Sequence, residues 1–138
     1  AEFTGELIRV PTSACFLPLF AGLAGNEQVS KMVSTLENWM DQKFLLVPST
    51  APHEPSYEPE RYWRGPVWPH INWMICEGLN DYGFDDLSRQ ISMQTLELVS
   101  KLGFHEYYHP LGESGLGGSS FSWTAAVCLI WGNSTNSR

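Results

Sequence analysis

The chain has 138 residues, which is enough for about one domain with a moderate core. Hydrophobic residues make up 43% of it and charged residues 17%, a composition typical of a globular protein. Fifteen acidic against eight basic residues give a net charge of −7, so neither nucleic acid nor an anionic membrane is an expected partner. No apolar run approaches the ~20 residues that span a bilayer, and residues 1–6 resemble the interior of a longer chain rather than a leader peptide.

The three cysteines are Cys15, Cys76 and Cys128, an odd number with wide and unpatterned spacing. Such spacing argues against a disulfide framework. Each cysteine lies in an apolar helical stretch, so we expect buried free thiols. Free thiols fit a reducing compartment, and we expect a cytoplasmic protein.

Hydrophobic periodicity predicts five helices, which alternate between two kinds. The first, third and fifth are apolar on most faces, as helices buried on most sides are, whereas the second and fourth are amphipathic. Pro18 lies inside the first helix and implies a kink there or a start near Leu17. The predicted ranges are Ser13–Ala24, Asn26–Lys43, Val67–Tyr82, Asp85–Leu102 and Ser122–Trp131.

The long connections precede the apolar helices, and the tight ones follow them. Pro11, Pro66 and Ser120 each stand before an apolar helix, 55 and 54 residues apart, and a weak repeat of this period indicates stacked helical hairpins. The fold class predicted is all-α, part of an (α/α)6 toroid with inner and outer helices. All long connections then meet on one rim, beside the N-termini of the inner helices. Five helices cannot close such a ring, so we expect one domain, residues 1–138, that is the C-terminal portion of a larger one.

The connection from Gly103 to Ser120, predicted as irregular, holds two patterns that suggest other chemistry. His105-Glu106-x-x-His109 has the spacing of a zinc protease, but that site needs a helix, and Gly103 and Pro110 argue against one here. The glycine-rich run at 112–118 resembles a phosphate-binding loop only in composition, because it lacks the lysine of a P-loop. We expect a flexible lid or a tight turn there.

Glu106 is the candidate catalytic residue because aromatic residues surround it. Tyr107 and Tyr108 adjoin it, and Trp63 and Trp68 lie in the other long connection of the same rim. Aromatic faces bind the apolar C–H faces of a sugar ring, and glycoside hydrolysis needs a pair of carboxylates. A second carboxylate is harder to find here; Glu58, Glu60 and Glu113 are the candidates in this chain.

Two long motifs resemble those of a known family. One is YWRGPVW at Tyr62–Trp68, and the other is GFxEYYxP at Gly103–Pro110 together with FSWTAA at Phe121–Ala126. From about Thr4 to Trp131 the chain resembles the closing part of the family 63 glycoside hydrolases, and within them the mannosylglycerate and glucosylglycerate hydrolases.

The resemblance implies an (α/α)6 barrel that hydrolyses α-linked glycosides with inversion, without metal or other cofactor. Glu106 would be the general base, and the general acid would be an aspartate outside this chain. Tyr62, Trp63 and Trp68 would line the sugar subsite, and Tyr107 and Tyr108, beside the base, are also predicted to bind substrate. Arg64 and Gly65 would hold the loop in shape. The substrate would be a small α-glucoside or α-mannoside, and the partner would be the N-terminal remainder of the barrel.

Two alternatives stay open. A non-catalytic toroid that only binds sugar would need the aromatic residues but not the carboxylate. A zinc-dependent hydrolase would use His105, Glu106 and His109.

Overall fold

A computed structural model describes residues 5, 9–41 and 46–135. A short 3-10 helix, Ser13–Phe16, comes first. The elements that follow are α1 (Leu17–Phe20), α2 (Asn26–Asp41), α3 (Pro69–Asp81), α4 (Asp85–Leu102), β1 (His105–Tyr108), β2 (Gly115–Ser119) and α5 (Ser122–Thr135). Among the described residues, none of these helices is both long and apolar enough to cross a membrane.

The two amphipathic helices form where their periodicity predicts them. α4 has the predicted bounds, with acidic side chains in its first turn and Lys101 in its last, an arrangement that favours the helix dipole. It ends at Gly103, whose φ of +88° suits glycine. α2 begins at Asn26 as predicted, while its predicted end, Lys43, lies outside the described residues.

The apolar helices differ from the prediction at their ends. The first is a 3-10 turn followed by four α-helical residues, so the predicted continuation to Ala24 is wrong. Pro18 lies in the first turn of α1, where its missing N–H is not needed. α3 begins at Pro69, because Trp68 before it is extended. α5 continues to Thr135, beyond the predicted Trp131.

The core is built around α3, which contacts α1, α4 and α5. Ile75, Cys76 and Leu79 of α3 are fully buried. α1 approaches so closely that a Cβ at Gly78 would lie 2.6 Å from the carbonyl carbon of Leu19, so glycine is needed there.

The cysteine prediction holds in part. Cys76 is buried, and burial raises the pKa of its thiol to about 12. Cys128 is half-buried. For Cys15 the prediction is wrong, since this residue is exposed.

The glycine-rich connection contains a β-hairpin, which corrects the all-α prediction. β1 and β2 pair antiparallel, with Tyr108 opposite Gly115 and Tyr107 opposite Leu116. The rest of the described chain is mostly helical, as predicted.

The long connections do meet on one side. Ser13 donates its backbone N–H to the Ser49 carbonyl at 3.0 Å, which joins the connection before α1 to the one before α3. Val67 and Tyr108 exchange two backbone hydrogen bonds of 2.9 Å, which join the connection before α3 to β1. Both candidate motifs are therefore tied to one another through their backbones.

Candidate functional site

Four of the predicted aromatic residues pack into one group, here called the aromatic cluster: Tyr62, Trp63, Trp68 and Tyr107. The Trp63 and Trp68 rings stack in parallel, with centroids 4.0 Å apart and an interplanar angle of 3°. Tyr107 stacks on Trp68 at 4.7 Å and 29°. Tyr62 meets Trp63, Trp68 and Tyr107 edge-on. Trp68 is buried, whereas Trp63 and Tyr62 are 41% and 51% exposed and so offer ring surface to a ligand.

Two further rings join this group that sequence reasoning did not place there. His70, in the first turn of α3, contacts Trp68 edge-on at 5.6 Å and Trp123 at 5.0 Å. Trp123 lies in the first turn of α5 and is 57% exposed. Their positions in the sequence could have predicted this placement. Both residues lie in the first turn of a helix, α3 or α5, that follows one of the long connections meeting on this side.

Polar contacts within the connection hold the cluster in shape. The Trp68 indole donates to the Tyr62 carbonyl at 3.1 Å, and the Thr50 hydroxyl donates to the Trp63 carbonyl at 3.0 Å. Tyr62 itself has a φ of +40°, an uncommon conformation for a residue with a bulky side chain. This backbone is held by contacts elsewhere in the loop, since it would not be favoured alone.

Arg64 and Gly65 supply some of those contacts, as the resemblance implied for them. The Arg64 guanidinium lies 2.9 Å from the Glu58 carboxylate and donates to the Ser56 carbonyl. Gly65 donates its N–H to the Ser49 hydroxyl at 2.9 Å. A Cβ at Gly65 would lie 2.6 Å from the Glu58 carbonyl carbon, so the turn closes only with glycine.

Asn72 of α3 holds the connection that precedes this helix through side-chain hydrogen bonds. Its side chain is fully buried, accepts the Val47 N–H at 3.0 Å and donates to the Val47 carbonyl at 3.1 Å. It also donates to the Trp68 carbonyl at 3.1 Å. One amide thus completes the hydrogen bonding of a buried backbone segment that belongs to no strand.

Glu106 is partly exposed and lies opposite an irregularity in the hairpin. His105 pairs with Ser119 and Tyr107 pairs with Leu116, so two residues of β2, Gly117 and Gly118, face Glu106 alone. This is a β-bulge, a feature that redirects side chains and occurs often beside active sites. The Gly118 N–H donates to Glu106 Oε2 at 3.3 Å. Within the described residues Oε1 has no hydrogen-bond partner.

The electrostatics of the site follow from burial and from this carboxylate. Burial raises the pKa of Tyr107, and the charges of Glu106 and Tyr62 raise it further. Tyr107 is therefore a neutral hydrogen-bonding phenol beside the carboxylate. Burial lowers the pKa of His70, which keeps its imidazole neutral at pH 7.

Tyr108 is not brought to the cluster. It is fully buried, donates its hydroxyl to the Gly103 carbonyl at 2.6 Å and accepts the His105 N–H at 3.0 Å. Beyond the bulge the pairing is regular, and neighbouring residues on a regular strand point to opposite faces, so Tyr107 and Tyr108 face opposite ways. The structure gives Tyr108 a role in the core and not at the rim.

The zinc pattern lacks the helix that it needs. Four residues of extended strand span about 13 Å, whereas neighbours at this spacing on a helix lie about 6 Å apart. His105 packs its ring against Gly115, and His109 is buried with Glu113 beside it at 3.7 Å. Among the described residues no group of histidine, cysteine and carboxylate side chains could hold a metal ion.

The other candidate carboxylates are placed differently from Glu106. Glu58 pairs with Arg64, and its side chain also lies 3.4 Å from Arg61. Glu113 lies beside His109. Glu60 is exposed. Burial raises the pKa of the Tyr107 phenol, and Glu106 lies close enough to this ring of the aromatic cluster for its charge to raise that pKa further.

Fold and site together define a class: a helical protein whose loops present stacked aromatic rings and one partly exposed carboxylate, an arrangement suited to sugar rings. Comparisons with known proteins agree with that class. Residues 2–124 match the family described as the mannosylglycerate hydrolase MGH1-like glycoside hydrolase domain. The chain therefore belongs to this family, which confirms the resemblance drawn from its motifs.

Several relatives carry the name mannosylglycerate hydrolase. Mannosylglycerate hydrolase MGH1 of Selaginella moellendorffii is 48% identical over 130 residues, covering 94% of this chain and 27% of that protein. Mannosylglycerate hydrolase of Thermus thermophilus is 48% identical over 127 residues, covering 92% and 31%. The crystal structure of a GH63 mannosylglycerate hydrolase from Thermus thermophilus with Tris and D-glycerate matches with a TM-score of 0.88 at 48% identity, over 93% of this chain and 31% of that one.

The chain thus spans less than a third of the length of these relatives. Its mostly helical fold matches a portion of the GH63 fold.

Proposed function

We propose that this segment carries the general base and part of the sugar-binding surface of an inverting α-glycoside hydrolase. The substrate class is a small α-mannoside or α-glucoside of an organic acid, such as mannosylglycerate or glucosylglycerate. The observation that carries the proposal is the position of the Glu106 carboxylate beside the aromatic cluster. Family membership and the names of the relatives support it.

The aromatic cluster supplies the binding surface. A pyranose ring has apolar C–H faces, and the exposed Trp63 and Tyr62 rings offer matching apolar surface. Stacking on Trp68 keeps Trp63 from turning. The neutral phenol of Tyr107 provides a donor and acceptor for sugar hydroxyls.

Glu106 provides the base. Its oxygen Oε1 accepts a proton from a water molecule as the water oxygen attacks the anomeric carbon. The bond between that carbon and the glycosidic oxygen breaks, and a carboxylic acid protonates the departing oxygen. Attack from the face opposite the departing group converts an α-glycoside to a β-configured product sugar.

The general acid comes from the remaining part of an (α/α)6 barrel. Since the chain spans less than a third of its relatives, most of such a barrel lies outside it. In inverting enzymes the two carboxyl groups lie roughly 6.5–9.5 Å apart, which leaves room for the attacking water. The D-glycerate bound to the Thermus thermophilus relative supports an organic acid as the leaving group.

The test uses the complete protein that contains this segment, with α-mannosylglycerate and α-glucosylglycerate as substrates. NMR follows the anomer of the released sugar before it equilibrates. Early β-anomer is expected, and Glu106→Gln should lower kcat by about 10²–10⁴-fold. Glu97→Gln is the matched control, because Glu97 lies exposed on α4.

Other outcomes decide against the proposal. Early α-anomer would exclude inversion, and full activity of the Glu106→Gln protein would exclude Glu106 as the base. Sugar binding without hydrolysis of either substrate would instead favour a non-catalytic sugar-binding protein.

A further inference from the structure

We propose that Gly117 is the residue that positions the catalytic carboxylate, because the β-bulge built on it gives Oε2 of Glu106 a backbone donor and leaves Oε1 without a partner among the described residues. This inference rests on the function proposed above. Gly117 is a positioning residue: it acts through Glu106 and does not itself touch the substrate.

The bulge requires glycine at this position. Gly117 has a φ of +70°, a left-handed conformation that is open to glycine and strained for other residues. A bulge whose first residue is a left-handed glycine is a recognised type, and it places an extra residue in one strand. Without this residue, β2 would pair with β1 in regular register and no extra N–H would face Glu106.

The space above Gly117 is filled by the catalytic side chain itself. A Cβ at Gly117 would lie 2.7 Å from Glu106 Oε2 and 2.9 Å from Glu106 Cβ. It would also lie 2.7 Å from Cε1 of Tyr107. The Glu106 carboxylate therefore lies across the bulge, over a backbone position that has no side chain.

The next residue supplies the tether. The Gly118 N–H donates to Oε2 at 3.3 Å, which gives that oxygen a backbone partner, while Oε1 has none in the described part of the chain. A base needs one oxygen directed at water, and a group that must be held within fractions of an ångström benefits from a donor on a rigid element. The hairpin provides that donor from the backbone.

The variant that tests this is Gly117→Ala, in the complete protein. Displacing a catalytic group by about 1 Å can lower the rate about 10²-fold, so kcat should fall tenfold to a hundredfold on that scale. KM should change less than kcat: the three atoms nearest to the added Cβ include none of the exposed Tyr62 and Trp63 rings, so any rise in KM would come from the Tyr107 contact with sugar hydroxyls alone. The matched control is Gly83→Ala: Gly83 also has a positive φ, +81°, but a Cβ there meets no atom within 4 Å. It imposes similar backbone strain away from the site and should leave kcat unchanged.

A double-mutant cycle separates an effect through Glu106 from one through Tyr107 or through general loosening. If Gly117 acts through Glu106, adding Gly117→Ala to Glu106→Gln lowers the residual rate no further than about twofold. Additive losses in the double variant would overturn the proposal. So would equal losses of kcat in the Gly83→Ala and Gly117→Ala proteins.

A second readout does not depend on activity. In protein labelled with ¹⁵N-glycine, the Gly118 amide proton should shift upfield in Glu106→Ala and in Gly117→Ala, because both lose its carboxylate acceptor. An unchanged Gly118 signal in Glu106→Ala would show that the tether is absent and would overturn the inference. If the wild-type protein hydrolyses neither sugar, the proposed function fails, while this signal still decides whether the bulge holds Glu106.

Discussion

Replacing Asn72 with alanine should destabilise the protein by about 3 kcal/mol, because each buried polar group left without a partner costs about 1–3 kcal/mol. The substitution removes the partners of two buried groups, the N–H and the carbonyl of Val47. The Trp68 carbonyl keeps a partner, since it also accepts the backbone N–H of residue 72 at 3.1 Å. Alanine favours a helix more than asparagine by roughly half a kcal/mol, which offsets part of the loss.

Urea unfolding of the complete protein measures the effect as a lower midpoint at unchanged slope. Asn38→Ala is the matched control, because Asn38 is exposed on α2 and its replacement should stay within about 0.5 kcal/mol. Asn72→Asp tests the chemistry further. An aspartate there could still accept the Val47 N–H but could donate to neither carbonyl, so it should destabilise at least as much as alanine.

A loss below about 1 kcal/mol for Asn72→Ala would refute the reasoning, since it would mean that water or a local shift satisfies Val47 without the amide. The site offers a second check. Residues next to Val47 support the aromatic cluster, since the Thr50 hydroxyl binds the Trp63 carbonyl. KM should therefore rise in the Asn72→Ala protein and stay constant in the Asn38→Ala protein.

Two further predictions concern the loop and the cluster. Gly65→Ala would force a Cβ against the backbone of Glu58, and overpacking of this kind costs about 1–3 kcal/mol. KM should therefore rise several-fold in this variant. Gly132→Ala is the control and should leave KM unchanged, because a Cβ at Gly132 meets nothing within 4 Å. Burial lowers the pKa of His70, so the unfolded chain binds a proton at higher pH than the folded protein does, and stability should fall as pH drops below about 6.5. His70→Phe should make that fall shallower, as urea midpoints at pH 7.5 and pH 5.5 would show; an identical pH dependence would contradict the burial of a neutral imidazole.

The amphipathic helices were the part of the fold that sequence reasoning placed most closely. α4 lies between two clear signals, the acidic pair at its start and Gly103 just after its end, and both bounds agree. The hairpin was missed because its second strand, Gly115–Ser119, contains three glycines and none of the β-branched residues that favour strands. β2 forms a strand because it pairs with β1. Local composition does not indicate which segments will pair.

The aromatic cluster likewise has one feature that the sequence predicts and one that it does not. That Trp63, Trp68 and Tyr107 lie together followed from the alternation of long and short connections. The opposite directions of Tyr107 and Tyr108 did not follow, because the glycine and proline content of the stretch predicts a loop, in which neighbouring side chains have no fixed relation. Had it been recognised as a strand, its period of two would have separated them.

The paired backbone hydrogen bonds between Val67 and Tyr108 also bear on how this family could vary in length. These bonds bring together the two ends of a segment that contains α3 and α4. The turn at Gly83 joins the two helices within this segment. Residues inserted at this turn would lengthen the helical hairpin without altering the spacing between the aromatic cluster and Glu106. Insertions inside Tyr62–Trp68 or Gly103–Pro110 would alter it directly. The turn at Gly83 is thus the natural place to graft a tag or a second module onto this scaffold.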